Sequence, residues 1–168
     1  MDLDELEETY QFQDFVQELL YKSGMPICCY ASKKYNIEKG ESIGGVEIKH
    51  DKRMKDTGNI YIEFAEKHYQ SERYVYSGIL RKDNTTFYAI GDFHLVLLLS
   101  KEQLLATILS GNFKRVQTET SIGYLVPLEY LYKHRPLIII EWRDGKRYEK
   151  EVEQVNKTRE KQVFNIYW

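Results

Sequence analysis

Apolar and polar positions recur along this chain with periods that change from segment to segment. Over residues 4–22, Phe12, Phe15, Val16, Leu19 and Leu20 fall at helical spacing with Gln11, Asp14, Glu18 and Lys22 opposite, which predicts an amphipathic helix. Ser23-Gly24 ends it, and Pro26 follows. Residues 26–31 are short and apolar and predict a buried strand; residues 32–36 predict a polar turn. The period then becomes two. Val46, Ile48 and His50 fall on one face of a strand, and Glu47, Lys49 and Asp51 on the other. Residues 58–63 alternate again, with Asn59, Tyr61 and Glu63 against Ile60 and Ile62. Together the two runs predict a hairpin with residues 52–58 as its loop, setting position 51 against 59 and 47 against 63.

Further on, residues 67–73 predict a loop, 74–76 an extended segment, and Gly78 a close backbone approach to a neighbouring strand or a ligand. Asp83-Asn84 marks a turn. Strands follow at 87–90 and 94–99, the second apolar enough to be buried on both faces. Ser100 is a good N-cap for a helix over 101–109 closed by Ser110-Gly111. A loop over 112–121, a strand over 123–126, a short helix over 128–133 and a strand over 137–142 come next. Asp144-Gly145 then signals a hairpin back through 147–155. The closing stretch NKTREKQVFNIYW has no clear pattern. This order predicts an α/β fold, a mixed central sheet flanked by helices. Residues 1–168 form one domain, with a core in about residues 1–110 and a helix-and-hairpin extension over 111–168.

At 168 residues, the chain suits one globular domain. No apolar run approaches a membrane span, and the opening MDLDELEE is acidic where a targeting peptide would be basic, so the expectation is a cytoplasmic protein with no membrane partner. Cys28 and Cys29 are adjacent and the only cysteines, which removes a thiolate metal framework and an intrachain disulfide. The net charge of −2 counts against a simple nucleic-acid-binding module, but five of the acids lie in the first eight residues, and without them the balance turns slightly positive. The four histidines stand at no zinc-ligand spacing, and no phosphate-cradling glycine loop occurs. The 14 tyrosines read as strand and interface residues, with base stacking as the other reading.

Candidate chemistry centres on residues 41–63. Glu47 and Lys49 share a strand face, and Glu41 stands just upstream, joined by a short flexible link. Hard carboxylate oxygens of this kind suit Mg²⁺ or Mn²⁺, and a lysine beside them suits a phosphate. Here the chain resembles the PD-(D/E)XK nuclease superfamily. Glu47-Ile48-Lys49 matches its acid-x-Lys tripeptide, and Glu41 stands where the upstream acid belongs, although as Glu and not Asp and with no proline before it. The wider pattern, GE-x4-VEIK-x-D, TGN-x-YIE and SGI at 77–79, is similar to small nuclease-like proteins of bacteria and phages.

The resemblance implies a restriction-endonuclease-like fold and a metal-dependent deoxyribonuclease. Glu41 and Glu47 would hold the metal, Lys49 would position water or phosphate, and Asp51, Glu63 and Glu8 would support them. Lys33, Lys34, Lys52, Arg53 and Lys55 are the expected DNA contacts. Cutting both strands of a duplex calls for two active sites, so a homodimer goes with this reading. The other reading is a protein that keeps the fold without the reaction and serves as a nucleic-acid- or protein-binding or inhibitory module. A third treats the carboxylates as ordinary surface groups.

Overall fold

The computed structural model describes residues 3–68, 72–134, 137–143 and 146–152. In chain order, α1 (Leu3–Lys22) and α2 (Lys33–Lys39) precede β1 (Val46–His50), α3 (Met54–Thr57), β2 (Asn59–Lys67), β3 (Tyr74–Tyr76) and a 3-10 turn, Gly78–Leu80. These are followed by β4 (Phe87–Gly91), β5 (Leu95–Ser100), α4 (Lys101–Ser110), β6 (Lys114–Gln117), β7 (Ser121–Pro127), α5 (Leu128–His134), β8 (Leu137–Arg143) and β9 (Lys146–Val152). The class is mixed α/β, as expected. The strands, however, divide into two sheets, ordered β1-β4-β5-β8-β9 and β3-β2-β7-β6, where the pattern had predicted one central sheet.

The layering follows from period-two alternation. In β5, Val96 and Leu98 face α1, where with Val46, Ile48 and Ala89 they pack on Phe12, Val16, Leu19 and Leu20. Leu97 and Leu99 face the other way, joining Tyr88 and Ile90 against Ile60, Ile62 and Val126 of the second sheet. The strand read as buried on both faces is so, with Val96, Leu97 and Leu99 at most 1% exposed. The order is thus helix, sheet, sheet, with α4 and α5 contributing Leu104 and Leu131 to the core between the sheets. Ser100 caps α4 in a reciprocal capping box with Gln103, the side chain of each bonding the backbone N–H of the other.

The predicted hairpin does not form. β1 runs parallel to β4, with Glu47 beside Tyr88 and Lys49 beside Ile90, while β2 pairs antiparallel with β7 and β3 in the other sheet. Residues 52–58 are not a simple reversal, because Met54 is fully buried at the head of α3 and carries the chain across from one sheet to the other. Alternation had correctly divided β1 and β2 into faces, but it carries no information about which strand lies alongside.

Four smaller expectations also change. Residues 26–31 form no strand, only a bridge from Cys29 to Ser42. The turn over 32–36 opens α2, and the loop over 112–121 contains β6, a polar edge strand. Residues beyond 110 are integral to the fold, since β7 lies beside β2 and β8 beside β5. The Asp144-Gly145 turn and the NKTREKQVFNIYW stretch lie outside the described residues.

Candidate functional site

β1 is an edge strand, and its inward face places Glu47 and Lys49 where the two sheets meet. The Glu47 side chain is 5% exposed and that of Lys49 is 42% exposed; Lys49 Nζ lies 2.6 Å from Glu47 Oε1. Burial works against the lysine's charge, but Glu47, then Glu63 and Glu41, outweigh it and hold its pKa above the ordinary value. Carboxylates from three segments therefore act on one ammonium.

Each acid is oriented by its own partner. Glu41, in the loop before β1, accepts the unpaired N–H of Ile48 through Oε2 at 2.7 Å and a bond from Gln13 of α1 through Oε1, which also closes part of the open strand edge. Burial raises its pKa, with the neighbouring Glu47 adding, against relief from Ile48, Lys49 and Gln13. Glu47 receives a long contact of 3.4 Å from Thr85. Glu63 comes from the opposite sheet, at a bulge where its backbone partner is Gly123 and not Glu47. Its Oε1 accepts from the buried Ser77 hydroxyl at 2.6 Å.

The Ser77-Gly78-Ile79 motif acquires a physical reason here. Gly78 has φ +50°, and a Cβ there would lie 2.4 Å from the Glu63 carbonyl oxygen. Only glycine lets this segment close on the bulge and bring Ser77 onto the Glu63 carboxylate. Of the two approaches open for Gly78, the structure shows the neighbouring strand.

Two of the supporting acids have other roles. Asp51 Oδ2 accepts the Tyr61 N–H at 2.9 Å and Oδ1 the Arg53 N–H at 3.2 Å, which ties the end of β1 to the start of β2. Glu8 pairs with Lys52 on the α1 side of the first sheet, apart from the Glu47 face, and Lys52 is the first cause of its lowered pKa. His50 points to that same side, stacked on Phe12 at 4.4 Å. Among the expected DNA contacts, Lys52 is thus engaged by Glu8, Lys33 begins α2, and Lys34, Arg53 and Lys55 are exposed.

A polar network behind Glu47 was not evident in the chain. Tyr88, beside Glu47 in register, is 3% exposed; its phenol is pushed upward by burial, then by Glu47 and Asp83. Burial opposes charge on Asp83, but the Thr85 N–H and the Lys101 ammonium at 3.2 Å prevail and hold it below its usual value. Ser77, Thr85, Asp83 and Gln13 are the residues the sequence reading missed. Ser77 lay in the stretch that carries the resemblance, and Asp83 was read only as a turn residue.

Hard carboxylate oxygens fit Mg²⁺ or Mn²⁺, and an ion beside Glu41 would relieve the burial that raises its pKa. Among the described residues no three Asp, Glu, His or Cys side chains already stand together as a metal set, so a protein site here would supply two carboxylates and leave the remaining positions to water and substrate. In front of Lys49, Asp51 and Glu63 a cleft opens between the sheets, with a volume of about 120 Å³. Among the described residues, no helix is long and apolar enough to cross a membrane. No family model, curated protein or solved structure matches this chain, so its chemistry has to be read from its own geometry.

Proposed function

We propose that this protein is a metal-dependent phosphodiester hydrolase acting on DNA, with Lys49 and the carboxylates of Glu41, Glu47 and Glu63 as its reaction centre. One observation carries the reading: acids from both sheets and from the loop before β1 act on a half-exposed lysine beside a cleft. A structural ion pair needs one acid, not three. Glu41 and Glu47 would hold a divalent cation, with Glu63 in support, and the ion when bound would supply a water of lowered pKa and offset phosphate charge.

The roles of the chain's own groups follow from their protonation. Lys49, held above its ordinary pKa, stays an ammonium at neutral pH, so it donates to a phosphate oxygen and is not the base. Glu41, raised by burial, is the carboxylate whose charge a bound cation would most favour. Ser77 and Gly78 hold Glu63 in place across the cleft. Exposed Arg53 and Lys55, just after β1, supply phosphate contacts outside the centre.

The test is cleavage of linear, branched and single-stranded oligonucleotides with Mg²⁺ or Mn²⁺. Glu47→Gln and Lys49→Met are expected to lose cutting by at least about 100-fold while remaining folded. If both cut as the parent does, the assignment is wrong. A second reading, a binding module without turnover, draws on the fact that Glu41, Glu47 and Glu63 each already have a partner within the protein. That reading expects no rise in melting temperature with Mg²⁺, whereas the hydrolase expects one that Glu47→Gln abolishes.

A further inference from the structure

Glu47 is more firmly buried than the partner that neutralises it. Its side chain is 5% exposed, whereas that of Lys49 is 42% exposed and carries its ammonium on a flexible stem. When Lys49 turns toward a phosphate at the cleft, the carboxylate stays where it is. A buried carboxylate left without a donor is strongly destabilising. The other contact of Glu47, from Thr85 Oγ1 at 3.4 Å, is long for a hydroxyl donor and holds it weakly.

A second hydroxyl stands close by. Tyr88 of β4 is the register neighbour of Glu47 on β1, so the two side chains leave the sheet on the same face. Tyr88 is 3% exposed, and its hydroxyl is buried with no hydrogen-bond partner among the described residues. Phenylalanine would fill the same place without the cost of an unbonded polar group. Burial first, and then Glu47, pushes the phenol's pKa up, so it remains a protonated donor at neutral pH. Asp83 also has a buried oxygen without a partner, Oδ2, but its charge is already met through Oδ1 by the Thr85 N–H at 3.0 Å and the Lys101 ammonium at 3.2 Å. Glu47 is the acid whose neutralising partner can leave.

We propose that Tyr88 is a positioning residue for Glu47: its hydroxyl takes hold of the carboxylate when Lys49 is drawn away to a phosphate. The use of this hand-over in catalysis rests on the hydrolase reading, but the hand-over itself needs neither metal nor DNA. In the hydrolase it keeps the Glu47 oxygens in place while Lys49 serves the substrate.

The experiment is a double-mutant cycle in melting temperature, run without metal, on Tyr88→Phe, Lys49→Met and their combination. In the parent, Tyr88→Phe is expected to leave the melting temperature within about 1 °C or to raise it, because the hydroxyl makes no bond there. In the Lys49→Met background it is expected to lower it by at least about 3 °C, because the hydroxyl then serves the stranded carboxylate. A loss of that size in the parent, or equal effects in the two backgrounds, overturns the proposal. So does a Tyr88→Phe that couples to Asp83→Asn and not to Lys49→Met. If the protein cuts DNA, Tyr88→Phe should lower kcat at least about tenfold with KM changed less than about twofold, and an unchanged kcat overturns the positioning role. A protein that shows the coupling but cuts no DNA would refute the hydrolase and retain the hand-over. One that cuts DNA without the coupling would do the reverse.

Discussion

Replacing Lys49 by Met removes the ammonium that Glu47, Glu63 and Glu41 share. Breaking a fully buried ion pair by deleting one member costs about 3–5 kcal/mol, because the remaining charge is left without compensation. An exposed pair is worth about 0–1 kcal/mol. Here the carboxylate side chain is 5% exposed and the lysine side chain 42%, so water can partly replace the ammonium and the cost falls between these limits, at about 2 kcal/mol. Glu47→Gln keeps the shape and leaves a half-exposed lysine still facing two acids, at a cost of about 1 kcal/mol or less. The difference of about 1 kcal/mol corresponds to about 2–4 °C in melting temperature for a chain of this size.

Urea denaturation of both single variants and the double variant measures this order. The double variant should lie near Glu47→Gln alone, since the stranded carboxylate is gone. Mg²⁺ should restore part of the stability lost in Lys49→Met by supplying the missing positive charge. A Glu47→Gln cost equal to or above that of Lys49→Met, or a double variant equal to the sum of the singles, would refute the reasoning.

Ser77→Ala removes the 2.6 Å bond to the Glu63 carboxylate and is expected to cost about 2 kcal/mol by urea denaturation, since the donor serves a charged group. Gly78→Ala meets the Glu63 carbonyl oxygen at 2.4 Å as well as the positive φ, so it should destabilise by clearly more than the about 1–2 kcal/mol of a left-handed residue alone. Gly58→Ala, at φ +64° with open space around it, is the control and should cost only that amount. His50 is held below its ordinary pKa, mainly by burial, and its Nδ1 is buried without a partner among the described residues. The unfolded state therefore binds the proton first: stability is full above about pH 6.5 and falls as pH drops from there toward the lowered native value. His50→Phe, which keeps the stack on Phe12, should flatten that part of a stability-against-pH curve.

The sequence alone was enough to determine the elements with strong local signals. α1 was legible from its apolar stripe and its Ser-Gly stop, and α4 from its Ser100 cap and Ser110-Gly111 stop, because helix periodicity and capping act within a few residues. The faces of β1 were legible for the same reason, since a period of two decides which side chains travel together. That was sufficient to put Glu47 and Lys49 on one surface. Strand partnership was not legible. It depends on contacts between residues far apart in the chain, and nothing in Val46 to His50 specifies that Phe87 to Gly91 will lie beside it.

The tertiary structure therefore decided which acids reach Lys49. Glu63 arrives from a second sheet through the bulge that Gly78 closes on, and Glu8 and Asp51 are drawn into other bonds. The cleft also exists only between packed sheets, where no single segment of sequence records the space left over.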